Sequence, residues 1–249
     1  MNIEELFDRR IDEIMDKLDI EKLKSLLEME IAFEKDSSLC IDDLRDIVNK
    51  SSGKPFFITI QNHELVELFI YNNKVKIISI SGKKPEKLEE VIELLKDNCK
   101  ITVYTARLPT YKYVDKYVFG IDFMDKNHLD MFKIMDELIL AIIDGRFEDI
   151  KSLAEKLYIH TKDVHFKQEE EVMKNTAYDK YYPDDYKRHI DWHKDFLDAL
   201  KELKKNAEKE KYVEVMENLL IIFETYFEKY LKDTDARLAN YLKLVLPKK

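Results

Sequence analysis

Residues 165–173 read HFKQEEEVM and residues 182–193 read YPDDYKRHIDWH. Each stretch holds two metal-ligating side chains four apart, His165 with Glu169 and His189 with His193. Side chains four apart on an α-helix project from the same face, so each pair can grip one ion or span a pair of ions. Both stretches lie inside apolar patterns of helical period, and that reading decides the fold of this half of the chain. Outward from them the pattern predicts four long helices, over 124–144, 147–173, 184–208 and 213–244. Gly145 breaks the first from the second, and residues 175–184 (NTAYDKYYPD) carry the Asn and Pro of a reversal between the second and third. Short connections between long helices imply antiparallel neighbours, hence an all-α, up-down-up-down four-helix bundle.

The first half of the chain has a different period. Ile3, Leu6, Phe7, Ile11, Ile14, Met15 and Leu18 recur at helical spacing, and further helices are expected over 20–33, 41–48 and 85–98. Residues 55–61 (PFFITIQ), 65–71 (LVELFIY), 74–80 (KVKIISI) and 100–106 (KITVYTA) are rich in β-branched and aromatic residues and read as strands, with Asn72-Asn73 as a tight hairpin turn. The expected organisation is a small α+β domain over 1–107, a connector over 108–117 (LPTYKYVDKY from Leu108) and the helical bundle over 118–249. Nothing in the α+β domain spells out a chemistry. His63 reads as a turn or surface histidine, and the domain is a candidate surface for a protein partner or an oligomer contact.

Composition narrows the classes. The chain has 249 residues and a formal charge of −9 from 42 Lys+Arg against 51 Asp+Glu, which excludes a strongly basic nucleic-acid binder. Only 4 Gly and 5 Pro occur, too few for a Gly-rich phosphate loop or a loop-heavy all-β fold. The N-terminus lacks a basic and then apolar leader and no long apolar run occurs, so neither export nor membrane insertion is expected. Cys40 and Cys99 stand far apart without a Cys-x-x-Cys pairing. They are expected to be reduced apolar fillers in a cytoplasmic protein.

Five of the six histidines, His128, His160, His165, His189 and His193, fall in the second half. His128 stands on the first predicted helix and Asp235 on the fourth, so together with the two pairs every helix contributes one candidate ligand position or more. Imidazole nitrogen with carboxylate oxygen suits iron, manganese or zinc. A ferritin-like site would need Glu-x-x-His motifs, but Lys162, Tyr186 and Ile190 stand where those glutamates should be. A zinc protease of the His-Glu-x-x-His type fails because Ile190 follows His189.

Residues 118–242 resemble the hemerythrin family in four pieces: GIDFMDKNH ending at His128, HFKQEEEVM from His165, YPDDYKRHIDWH ending at His193, and YFEKYLKDTD ending at Asp235. The resemblance implies two iron ions, bridged by carboxylates and an oxo or hydroxo group. His128 and His165 would hold one iron, and His189, His193 and a last-helix ligand the other. Glu169 and Asp235 would bridge, and an open position would receive O2 or another small diatomic. Carboxylates can share two cations that would otherwise repel, and neutral imidazoles complete each shell without adding charge.

One ligand departs from the family pattern. Five residues before Asp235, where the family has histidine, this chain has Tyr230. Three readings stand: phenolate ligation by Tyr230, an apolar filling role for it that leaves one iron more open, or substitution by His160, which sits about 140° around an α-helix from His165. Phe132, Met135, Leu138, Ile139 and Ile142 on the first helix, and Phe223, Phe227 and Leu231 on the last, are expected in the core, with Phe227 also a candidate wall of an O2 pocket. Trp192 is expected to pack at a helix interface. By the resemblance the bundle binds O2 or a related diatomic for sensing, storage or transport. The alternative is a di-iron protective enzyme that reduces peroxide, O2 or nitric oxide, and a third reading is iron storage or sensing without gas chemistry.

Overall fold

A computed structural model describes residues 3–51, 53–110 and 114–246. The connector tyrosines Tyr111 and Tyr113 lie outside the described residues. The chain divides into two compact units: Met1–Leu108 with Leu140–Arg146, and Pro109–Ile139 with Phe147–Lys249.

The first unit is built on a five-stranded antiparallel sheet. Its strands are β1 (Glu28–Ser37), β2 (Phe56–Gln61), β3 (Leu65–Tyr71), β4 (Lys74–Ile80) and β5 (Cys99–Arg107), in the order β1-β5-β2-β3-β4. Asn72 and Asn73 close the β3–β4 hairpin with φ of 51° and 59°. A two-residue turn with both residues left-handed matches the twist of the flanking strands, and asparagine tolerates that region better than most side chains. Four short helices accompany the sheet: α1 (Ile11–Asp16), α2 (Ile20–Leu26), α3 (Cys40–Asn49) and α4 (Leu88–Leu94). Leu44 and Val48 of α3 and Val91 of α4 join Ile58, Ile60, Val66, Leu68, Val75, Ile101 and Val103 of the sheet in one buried cluster.

Two expectations for this unit are corrected. The helix expected over 20–33 stops at Leu26, and residues from Glu28 on form the edge strand β1. Glu, Met and Ala in that stretch favour a helix locally, but the far side of β5 needs backbone partners, and pairing supplies them along nine registered positions. Cross-strand charges reinforce the choice: Glu30 pairs with Arg107, and Glu34 with Lys100 at 3.2 Å. The two cysteines are not separate fillers. Cys40, at the start of α3, is joined to Cys99, at the start of β5, across 59 residues of sequence. Their spacing gave no sign of this, because only the packing of α3 against the sheet brings them together.

From Asp122 the described chain is almost entirely helical. α5 (Asp122–Ile143) and α6 (Phe147–Ile159) come first, and α6 runs on through a π-helical segment, His160–Phe166, into α7 (Lys167–Asn175). A short α8 (Tyr178–Tyr181) and the long α9 (Pro183–Glu208) follow. Then α10 (Tyr212–Ile221) continues through a second π-helical segment, Ile222–Asp235, into α11 (Ala236–Val245). The helices expected over 147–173 and 213–244 are thus present but not uniformly α. No helix among the described residues is long and apolar enough to cross a membrane.

Candidate metal centre

His128 stands in the second turn of α5. The start of that helix is fixed by the Asp125 carboxylate, which accepts backbone N–H bonds from Phe119 at 2.6 Å and Gly120 at 2.9 Å. His165 lies near the end of the first π-helical segment, and Glu169 follows on α7. His189 and His193 share one face of α9, and Asp235 is the last residue of the second π-helical segment. π-helical turns insert an extra residue into a helix and cluster at functional sites. Here each of the two segments carries a ligand-type residue.

All six side chains are buried, and they assemble into two groups. His128, His165, Glu169 and Asp235 form one, and Glu169, His189 and His193 the other, the candidate ligand atoms of each group lying within 4.8 Å of one another. Glu169 belongs to both. Asp235 reaches both as well: its Oδ2 is 3.1 Å from His128 Nε2, and its Oδ1 is 3.3 Å from His189 Nε2. The Glu169 Oε2 lies 3.2 Å from His193 Nε2 and 3.4 Å from His189 Nε2.

Electrostatics show what this cluster lacks. Glu169 and Asp235 are each 0 % exposed, and no lysine or arginine is paired with either among the described residues. Burial, and then the neighbouring Asp235 charge, push the Glu169 carboxyl up to about 7. Burial holds His165 well below the usual imidazole range, and the neighbouring imidazoles depress it further. Burial also lowers His189. At His128 burial pulls down, but the hydrogen bond and charge of Asp235 outweigh it, and the net shift is upward. Both nitrogens of His165, both nitrogens of His189 and Glu169 Oε1 are buried without a hydrogen-bond partner. Buried carboxylates and orphaned imidazole nitrogens facing one another are costly alone, and cations placed among them would satisfy both. The donor set therefore fits metal ions.

The outer nitrogens of two ligand rings are held by the protein. His193 Nδ1 lies 3.1 Å from Glu170 Oε1, and His128 Nδ1 lies 3.4 Å from the Tyr117 carbonyl. Such partners fix ring orientation and raise the basicity of the nitrogen that faces the metal. The hydrogen bond to His193 holds the Glu170 carboxyl below its usual range. The adjacency of Glu170 to Glu169 in sequence carries no signal of this, since only the approach of α7 to α9 sets it beside His193. Phe166 adds a flat ring on His193, with centroids 3.6 Å apart.

The remaining candidates have surroundings of their own. Tyr230 is 37 % exposed and stacks on Trp192 at 6.3 Å between centroids. Four of the buried residues of its segment, Phe223, Phe227, Leu231 and Asp235, recur every four positions, and Tyr230 falls one residue off that row. His160 is half-buried, with Nε2 3.1 Å from the Asn127 carbonyl. Phe227 is fully buried among Phe132 at 5.0 Å, Phe196 at 5.9 Å and Tyr117 at 6.1 Å. Trp192 is buried between the two histidines of α9 and the ring of Phe196. Compared with protein-family models, curated proteins and solved structures, the chain matches none.

Proposed function

We propose that the helical unit is a hemerythrin-like four-helix bundle, formed by α5, by α6 with α7, by α9, and by α10 with α11, and that it holds two iron ions. His128 and His165 would serve one ion, His189 and His193 the other, with Glu169 and Asp235 shared. The observation that carries this reading is the pair of buried carboxylates, each facing histidines of both groups with no lysine or arginine paired to it among the described residues. When bound, an iron pair supplies reversible or reductive chemistry toward O2 and related diatomics. The chain's own part is to orient the imidazoles through Glu170 and the Tyr117 carbonyl and to exclude water with the surrounding aromatic rings.

The function that follows is binding of O2 or a related small diatomic, for sensing, storage or transport. One observation favours a second reading, a protective enzyme that reduces peroxide, O2 or nitric oxide. With Tyr230 partly exposed and stacked on Trp192, the buried donor set holds four imidazoles, one fewer than the family pattern, which leaves more room for added ligands at the metals.

Metal analysis of the purified protein together with its electronic spectrum tests both readings. Two irons per chain, and an oxygenated spectrum that reverses when O2 is removed, support the carrier or sensor. An irreversible ferric product with peroxide consumption selects the enzyme. One metal per chain, or none after anaerobic loading, would overturn the paired centre. Tyr230→Phe is expected to leave iron content and visible bands unchanged; loss of a charge-transfer band in that variant would show phenolate ligation instead.

A further inference from the structure

The rings around the centre divide by chemistry. Phe119 meets His128 edge-on at 5.7 Å and Phe166 lies flat on His193, and neither ring gives up an electron readily. Trp192 is different. Its indole lies 5.8 Å from the His189 ring and 5.4 Å from the His193 ring. On its other side it stacks on Tyr230, which is followed by Tyr226 at 6.1 Å. Indole and phenol are the most easily oxidised rings a protein carries, and here they form an unbroken line from two ligand histidines to the surface. Trp192 and Tyr230 line a surface pocket of about 290 Å³, together with Lys187, Arg188 and Asp191 among others.

Two details give the line a direction. The Trp192 indole N–H is buried without an acceptor. An indole that loses an electron there has no ready base for its proton, so it stays a cation and takes an electron from its neighbour. Tyr230, in contrast, is exposed, and its phenolic proton can leave to water when the ring is oxidised.

We propose that Trp192 and Tyr230 form a one-electron relay that moves oxidising equivalents from the metal pair to the protein surface when the half-reduced protein meets hydrogen peroxide. This rests on the reading that the centre holds iron. In the balanced step the peroxide O–O bond breaks and two electrons and two protons convert it to two waters. In a half-reduced Fe2+/Fe3+ pair one electron comes from the Fe2+, which becomes Fe3+, and the other from Tyr230 by way of Trp192, since no second Fe2+ is left to supply it. One proton is matched by the phenolic proton of Tyr230, released to solvent, and the other is drawn from solvent. A soluble one-electron reductant of the ascorbate class then restores the Tyr230 phenol at the surface pocket.

The test uses full-length protein shown by metal analysis to carry two irons and poised as the half-reduced Fe2+/Fe3+ pair, mixed anaerobically with one equivalent of hydrogen peroxide and freeze-quenched for electron paramagnetic resonance. A tyrosyl radical is expected in the unaltered protein and in Tyr226→Phe, and its loss in Tyr230→Phe and in Trp192→Phe at unchanged iron content. Peptide mass spectrometry on the same samples should show oxidation moving from Tyr230 to Trp192 and buried methionines in Tyr230→Phe. Full oxidation of two irons without a tyrosyl radical overturns the relay and leaves the metal reading intact, and so does a radical that survives in Tyr230→Phe. Failure to bind iron overturns both.

Discussion

At the scale of single residues, Glu170 is the side chain whose role depends most on its surroundings. It touches no candidate ligand atom of the centre, but its carboxylate takes the outer N–H of His193. Glu170→Ala is expected to weaken metal binding about 10- to 100-fold, the usual cost of removing such a partner. Glu170→Gln, which keeps an acceptor oxygen, should recover part of it. Chelator competition measures both, and an unchanged affinity in Glu170→Ala would show that Phe166 alone holds the ring. Asp136 offers a second test, remote from the metal. Burial pushes its carboxyl up to about 6, against the backbone N–H of Thr110, which donates to it at 3.0 Å. The folded protein therefore binds a proton there that the unfolded chain releases at lower pH. Its contribution to stability is full below about pH 4 and is lost as pH rises to about 6. Asp136→Asn should be more stable than the parent at pH 7 by about 3 kcal/mol and should match it near pH 4. Denaturant midpoints at the two pH values decide this, and an equal advantage at both would assign the effect to something other than ionisation.

At the scale of elements, the two π-helical segments are where helical periodicity and the structure part company. Counting residues at 3.6 per turn finds the His165–Glu169 and His189–His193 pairs, since each lies within four residues. It does not give the phase between residues upstream of a π-helical turn and those downstream, because each inserted residue turns everything above it by about 100°. Tyr230, five residues before Asp235 in the second segment, lies over Trp192 and is partly exposed. The same logic makes the first segment testable. Inserting one alanine after the exposed Lys162 adds a residue beyond the one the π-helical turn absorbs, and should turn the buried Leu157 and Ala154 of α6 by about 100° off the core relative to His165 and Glu169. The expected result is a lower thermal midpoint together with loss of bound metal, read by circular dichroism and metal analysis. Retention of both would mean that this segment does not fix the phase of the ligands. In the first unit the comparable surprise is β1, whose residues favour helix locally and whose strand state is imposed by β5.

At the scale of the whole molecule, each compact unit has its own fastening. In the first, the Cys40–Cys99 bond closes a long loop between α3 and β5 and restricts the unfolded chain. Removing such a bond costs about 2–5 kcal/mol. Both dithiothreitol and the double change Cys40→Ser with Cys99→Ser should lower the thermal midpoint, by similar amounts; a midpoint indifferent to reductant would show that the bond does not form in solution. In the second unit the buried charges of Glu169 and Asp235 make metal the expected fastening. The amino-acid sequence by itself determined the helical half, four of the five strands and the Asn-Asn turn closely, because those features rest on short-range periodicity and local backbone preference. It also named all six residues of the buried groups, since ligand chemistry restricts residue type and the two short-spaced pairs stay together in any helical turn. Only the tertiary structure decided the rest. The strand state of residues 28–37, the joining of Cys40 to Cys99, the Glu170–His193 bond and the outward place of Tyr230 all depend on which distant surface arrives alongside. That choice is made by burial and backbone pairing between elements far apart in the chain, which no local pattern encodes.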